Sequence, residues 1–367
     1  MRVLLISNMY PSKENPQFGI FVKNCEEILL NNNIVVDKIV CTKKKSKISK
    51  ILQYVTFYIK ILFRLLTSNY SCIYVHYLSF SSLPIIVAKK FKKNIDIVSN
   101  VHGSDVIPEN RKHGMLNNLS KKCAEISNKI IVPSNYYKNV IMEKWKIKDE
   151  KLKVFPSGGI NKDIFKPKDN ILEMKNKFNL DTNYKYIGFV SRLDKGKGWN
   201  ILLDAINDMK DSEYIKNYKF IFVGNGKEEV LFKEKVEELN IEEKIIHIDF
   251  LEHSKLSDLY NALDLFCFPT MRDSESLGLV GIEALACGIP VVASNFAGPT
   301  DYILNNYNGY LFQKGDYKDL SLKIKRYITL SKDERDKMKS SAYESSMKYW
   351  SENVQKDLIN IFNEYKN

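Results

Sequence analysis

Two successive series of alternating strand and helix signals constrain this chain more than any other feature of its sequence. In the first half, apolar runs stand at Val3–Ser7, Val35–Val40, Ile73–Val75, Ile95–Asn100, Ile130–Val132 and Leu152–Phe155, and Phe21–Leu30 carries a helical period. In the second, runs at Tyr186–Val190, Lys219–Val223, Ile245–Asp249, Leu265–Phe268 and Val291–Ala293 alternate with helix-like Ile201–Met209, Glu228–Leu239 and Leu277–Cys287. Short runs that are apolar on both faces suit parallel strands, whose connections are usually helices. The expected class is therefore α/β, with two Rossmann-like doubly wound parallel-sheet domains facing a cleft and ligands at the carboxyl ends of the strands. At 367 residues the chain is too long for one ordinary core. The expected division is 1–165, 166–345 and 346–367. A polar hinge falls at Asn161–Asn176, and the helix Ser351–Tyr365 crosses back to the first domain.

Composition narrows the function classes only a little. A net charge of +12 fits nucleic acid, anionic lipid or phosphorylated substrates, and equally a general habit of using lysine. The six cysteines form no C-x-x-C pair and sit mostly in apolar or helical surroundings, as buried free thiols in a reducing cytosol do. The five histidines do not cluster at metal-ligand spacing, so no metal site is expected. The start, Met1 to Ser7, reads as a buried strand rather than a leader. The charge-free stretch Ser71–Ala88 approaches the length of a membrane span, but His76, Pro84 and several serines split it into a strand and a helix.

The sharpest local signal is Ser191-Arg192-Leu193-Asp194-Lys195-Gly196-Lys197-Gly198, which follows a strand and opens a helix. It places Arg192 and Lys197 at the sheet's carboxyl edge, where two cations can neutralise a diphosphate without a metal. Alone, the loop reads equally well as a solvated basic turn. A second signal runs from Asp273 through Glu275, Ser276, Leu277, Gly278 and Leu279 to Glu283. A turn leading into a helix offers free N–H groups and a favourable dipole to an anion. Glu275 suits sugar hydroxyls there, and Glu283 suits a ribose diol. The alternative is a helix-start carboxylate followed by one that faces solvent. Gly224-Asn225-Gly226 would let backbone approach a ligand, although a tight strand–helix turn explains it too. In the first half, His102 ends a strand and could touch a sugar or a leaving phosphate, or be an ordinary loop histidine. Gly19, before Ile20-Phe21, is a further backbone–phosphate candidate by position.

Taken together, Arg192 with Lys197, Gly224–Gly226, Glu275, Glu283, Ala286–Val292 and Asn308-Gly309 resemble the retaining glycosyltransferases of family four, with the GT-B fold. Tyr10-Pro11, Gly19–Val22 and His102–Asp105 are similar to that family's first domain, so the resemblance spans nearly the whole chain. It implies that Arg192 and Lys197 hold a donor diphosphate, and that Glu275 with the backbone of Ser276–Leu279 holds sugar and phosphates. Glu283 would hold the ribose and His102 would line the sugar pocket. The base would sit near Asn225 and the loop 250–254, which contains Leu251. Catalytic roles thus fall to His102, Arg192, Lys197 and Glu275. Departures occur at Asn225, Ala297, Asp301 and Ser276-Leu277, and they bear on the sugar rather than the class.

The implied activity is transfer of a sugar from a nucleotide diphosphate-sugar to a saccharide or lipid-linked acceptor, in bacterial capsule, exopolysaccharide or other envelope polysaccharide synthesis. No cofactor is expected, and no Asp-x-Asp occurs to clamp a metal. UDP is expected from its frequency among such enzymes rather than from any residue. Retention by front-side attack, implied by the resemblance, requires no side-chain nucleophile.

The stretch Thr42–Ser68 carries Lys43, Lys44, Lys45, Lys47, Lys50, Lys60 and Arg64, no acid, and many interleaved apolar residues. It reads either as a helix lying on anionic lipid through 43–66, or as a core helix after a solvated lysine loop. The first reading implies a cytoplasmic protein, peripheral at the inner face of the plasma membrane. A GT-B epimerase, a phosphorylase and a non-catalytic membrane-surface relative would share this pattern. A dehydrogenase lacks its glycine fingerprint here, and nucleic-acid binding lacks an accompanying motif.

Overall fold

The computed structural model of the chain describes residues 1–109 and 111–366. It divides into two units, Met1–Gly159 with Glu352–Asn367, and Ile160–Ser351.

The first unit runs β1 (Arg2–Ser7), α1 (Ile20–Asn31), β2 (Val35–Val40), α2 (Lys47–Thr67), β3 (Cys72–His76), α3 (Leu78–Phe91), β4 (Ile97–Asn100), α4 (Arg111–Glu125), β5 (Lys129–Val132), α5 (Asn135–Trp145) and β6 (Leu152–Val154). Its strands form a parallel sheet in the order β2-β1-β3-β4-β5-β6. Alternate residues of each strand face opposite sides, so the sheet has two cores. Leu4, Ile6, Ile73 and Val75 pack under α2 to α5, while Val3, Leu5, Cys72 and Tyr74 pack under α1.

The second unit runs α6 (Ile171–Lys177), β7 (Lys185–Val190), α7 (Trp199–Met209), β8 (Tyr218–Val223), α8 (Glu229–Glu238), β9 (Ile245–Ile248), α9 (His253–Asn261), β10 (Leu265–Phe268), α10 (Leu279–Ala286), β11 (Val291–Ser294), β12 (Gly309–Phe312), α11 (Tyr317–Ile328) and α12 (Lys332–Ser346). Its sheet is also parallel, in the order β12-β11-β10-β7-β8-β9. The order reverses between β7 and β10, the kind of switch point outside which open α/β sheets bind ligands. Ile160 and Phe165, which precede the expected junction at 165/166, are buried in this unit's core.

The last helix, α13 (Ser351–Asn363), belongs mainly to the first unit. Its stripe Val354, Leu358, Ile361 and Phe362 is buried with Val3, Leu5 and Tyr74, and the Phe362 ring meets Tyr74 edge-on at 4.9 Å. Spacing of three and four residues puts those side chains on one helical face.

Two local readings change. Gly309–Phe312 is an edge strand that its short apolar run did not announce. α10 starts at Leu279 rather than Leu277, because Gly278 before it sits at φ 78°, outside helical geometry. The stretch Ser71–Ala88 contributes β3 and most of α3, and among the described residues no helix is long and apolar enough to cross a membrane. All six cysteines are buried free thiols.

Candidate functional site

The loops that leave β7 and β10 flank the switch point of the second sheet. They are stitched together by a hydrogen bond from Met271 N to Gly196 O of 2.8 Å. Gly198 lies so close to the β10 loop that a Cβ there would stand 1.7 Å from Pro269 O. Within this frame Lys197 Nζ donates to Glu275 Oε2 at 2.7 Å, with the two side chains only 12% and 13% exposed. Thr270 Oγ1 donates to the same oxygen at 3.2 Å. Arg192, by contrast, is largely exposed and pairs with Asp194 in its own loop at 2.6 Å.

The neighbouring β8 loop sets the position of that pair. Leu193 N donates to Asn225 O, Glu228 N donates to Leu193 O, and Lys227 N donates to Asp194 Oδ1. A Cβ on Gly224 or Gly226 would meet Ser191 O at 2.1 Å or Leu193 O at 2.3 Å. These two glycines are therefore needed for the approach of one loop to another, in keeping with the tight strand–helix turn that the sequence offered beside an approach to a ligand. Asn225 itself is exposed, and Leu251 is half-buried against the core.

Beyond Glu275 the chain turns through half-buried Ser276, buried Leu277 and Gly278 into α10. The carbonyl of Gly278 accepts from Tyr302 OH at 3.0 Å and from Gly281 N, which fixes the start of the helix. The amides of Leu279 and Val280 lie in the first turn, where a helix has donors without intrahelical partners. Glu283, one helical turn further, is 5% exposed and does not face solvent. Its Oε1 is 2.9 Å from His253 Nε2 and its Oε2 accepts from Tyr260 OH at 3.1 Å. The hydrogen bond to Glu283 raises the His253 pKa above the ordinary histidine value.

In the first unit, His102 follows β4 and its ring nitrogen Nε2 lies 3.0 Å from Nδ1 of His76 at the end of β3. The rings stack, and Phe21 packs on His102 at 4.3 Å. Asp105 locks the loop: Oδ1 accepts from the amides of His102 and Gly103, and Oδ2 from Leu78 N. Burial pushes the carboxyl of Asp105 up to about 6, and it pushes His102 down to about 3. His76 also falls well below its usual value through burial and the neighbouring ring. His76 Nε2 is buried without a partner. An orphaned N–H is costlier than an under-used acceptor, so we assign the proton of His76 to Nδ1. His76 then donates to His102, leaving His102 neutral with Nδ1–H as its donor. Gly19 begins α1 at φ 76°, and a Cβ there would stand 2.6 Å from the Met9 carbonyl carbon.

The sequence-predicted residues Lys197 and Glu275 are thus in contact, with Arg192 in the same loop, and Glu283 is held separately by α9. Asp194, Thr270, His253, Tyr260, His76 and Asp105 were not singled out. Asp105, two residues after Gly103 at a strand end, could have been found as a side chain that caps a turn's amides. Asp194 and Thr270 meet near neighbours within their own loops, whereas His253, Tyr260 and His76 depend on contacts between distant segments. Among the described residues no three His, Cys, Asp or Glu side chains cluster as a metal would require.

Two family models match the chain, Glycosyltransferase Family 4 over residues 20–158 and Glycosyl transferases group 1 over residues 170–345. The chain is 29% identical over 241 residues to an uncharacterized glycosyltransferase of Methanocaldococcus jannaschii, covering 65% of this chain and 60% of the relative. It is 30% identical over 217 residues to the capsular polysaccharide biosynthesis glycosyltransferase CapM of Staphylococcus aureus, covering 54% of this chain and 52% of the relative. The match thus spans less than two thirds of either relative. Among solved structures, Anabaena HepE in complex with UDP shares the fold, with a TM-score of 0.77 at 17% identity over 99% of this chain and 100% of that one.

Proposed function

Because the chain belongs to glycosyltransferase family four, of the GT-B type, we propose that it moves a sugar from a nucleotide diphosphate-sugar to a saccharide or lipid-linked saccharide acceptor. The observation that carries this reading is the pair of cations in the β7 loop, each held by a carboxylate of its own unit. A diphosphate offers more charge and more acceptor oxygens than either carboxylate, so the donor displaces both pairings. Glu275, released from Lys197, then accepts from sugar hydroxyls. The first-turn amides of α10 add donors of fixed position, and Glu283 holds the ribose with His253 beside it. UDP as the donor's nucleotide is supported by the complex of HepE, and a role in envelope polysaccharide synthesis by the similarity to CapM.

As the anomeric C–O bond breaks, positive charge grows on the sugar and negative charge on the departing diphosphate. Arg192, Lys197 and the α10 amides oppose the latter, in place of a metal, and such preorganised donors are where catalysis arises. The acceptor oxygen bonds to the anomeric carbon from the face the phosphate leaves, and the phosphate takes its proton. Configuration is then retained without a side-chain nucleophile. His102, neutral at any ordinary pH, serves as a hydrogen-bond donor to the sugar. Incubating the protein with UDP-, GDP- and ADP-sugars and a crude glycan acceptor, with and without EDTA, tests the reading. Chelator-insensitive transfer from one donor is expected; thermal stability unmoved by every nucleotide would sink it.

The same reading places the enzyme at the inner face of the plasma membrane through α2. Phe57, Ile61 and Leu65 of this helix are buried, whereas Ile48, Ile51, Leu52, Val55, Ile59, Phe63 and Leu66 are exposed. Spacing of three and four residues makes the second group a continuous outward stripe. With the flanking lysines and no acid, it matches a surface of anionic lipid. Co-flotation with vesicles of phosphatidylglycerol but not of phosphatidylcholine is expected, and an Ile51→Ser/Ile59→Ser/Phe63→Ser variant loses it. Equal flotation of that variant would refute the assignment.

A further inference from the structure

We propose that a cavity of about 450 Å³ in the first unit recognises a phosphate group on the acceptor, an inference that rests on the transferase reading and names the chemistry of its second substrate. The cavity opens beside the carboxyl ends of β1, β2 and β3. Lys43 and Lys44 follow β2, and Lys50 comes from the second turn of α2. No carboxylate lines the space. Among the described residues none of the three ammonium groups is in an ion pair, although many of the chain's other lysines are.

The three lysines are exposed, so water screens them from one another, and an anion that reaches all three gains a charge-assisted hydrogen bond from each. One carboxylate would leave most of that charge unmatched, whereas a phosphomonoester or a diphosphate brings about two charges or more. The rest of the lining suits a sugar. Tyr54 and Phe80 pack against each other at 5.6 Å and offer apolar ring surface. Asn8, also in the wall and only 7% exposed, has an Oδ1 with no hydrogen-bond partner, which a hydroxyl donor would satisfy. Tyr77 completes the wall, and its ring lies parallel to that of His102 at 6.3 Å. The phosphate cavity and the histidine assigned to the transferred sugar thus share one aromatic residue.

The test uses the full-length chain with UDP in excess, so that the donor loops are occupied. Pyrophosphate is titrated by calorimetry into wild type, into Lys43→Gln/Lys44→Gln/Lys50→Gln, and into the control Lys45→Gln/Lys47→Gln, whose lysines lie outside the cavity. Loss of affinity by about tenfold or more in the triple variant alone is expected, the scale of one charge-assisted hydrogen bond. Affinity unchanged in the triple variant, or reduced alike in the control, overturns the proposal. Flotation on vesicles of phosphatidylglycerol and phosphatidylcholine then separates the sources. If the triple variant still floats, the phosphate comes from a soluble saccharide phosphate; if pyrophosphate binding and flotation fall together, it comes from a lipid headgroup. Flotation lost with pyrophosphate binding intact also overturns the cavity. A wild-type chain that ignores UDP would remove the transferase reading, while the comparison of variants would still decide the cavity.

Discussion

Lys197 Nζ and Glu275 Oε2 lie 2.7 Å apart although 78 residues separate them, and each comes from one side of the point where the second sheet reverses its strand order. The contact is nearly buried. It therefore stabilises the ligand-free loops, and under the proposed function the same two groups meet the donor.

Arg192 and Lys197 separate binding chemistry from stability. Exposed Arg192 replaced by Gln should lower transfer by about 10²-fold, the scale of one lost stabiliser of developing charge, with thermal stability near wild type. Lys197→Met should lose activity similarly and also about 3 kcal/mol of stability, because Glu275 is left nearly buried and unpaired. Adding Glu275→Gln should restore much of the stability and none of the transfer. Steady-state kinetics and urea unfolding read both effects.

The His253–Glu283 contact gives stability a pH dependence of definite sign. The folded pKa of His253 is raised, so its contribution is fully present below the unfolded value of about 6.5 and disappears as pH rises through the folded value. His253→Asn should therefore lower the melting temperature more at about pH 5.5 than at about pH 9. An equal loss at both pH values would contradict the pairing.

The buried pair His76 and His102 acts in the opposite direction. Both are depressed, so folding loses stability as pH falls from about 6.5 towards the folded value, about 3 for His102. Asp105, raised to about 6, partly offsets this, since its protonated form favours the folded state between there and the unfolded value of about 3.9. His102→Gln should flatten the acid limb of the melting-temperature profile. It should leave kcat lower at every pH, because the ring donor oriented by His76 and Phe21 is replaced by a flexible amide that these neighbours do not orient.

Ala297 sits at φ 59° and ψ −151° and is fully buried, a backbone conformation that only glycine adopts freely. The sequence already marked it as a departure from the family pattern it resembles. Ala297→Gly should stabilise the fold by about 1 kcal/mol, the low end of the cost of such strain, as measured by denaturant midpoint.

Much of the fold is legible in the sequence because parallel strands covered on both faces must be short apolar runs, and Val3–Ser7 or Leu265–Phe268 fit no other role as well. β12 escaped because its short run opens on Gly309 directly after Asn308, a turn signal that masks the start of a strand. Lys197 and Arg192 were legible from the strand–loop–helix context. The partners that fix them, Glu275 and Asp194, follow from loop packing that Gly198, Gly224 and Gly226 permit. Helix α2 left two readings open, lipid surface or core, and the helix has a buried stripe and an exposed one. Periodicity alone could not separate them, since apolar residues occupy both faces.

The central claim is that the β7 loop exchanges its carboxylate partners for a nucleotide diphosphate. Calorimetric titration of UDP into wild type and Arg192→Gln, both in EDTA, tests it most directly. The account predicts saturable, chelator-insensitive binding that weakens by about tenfold or more in the variant. Identical affinities in the two proteins would contradict it.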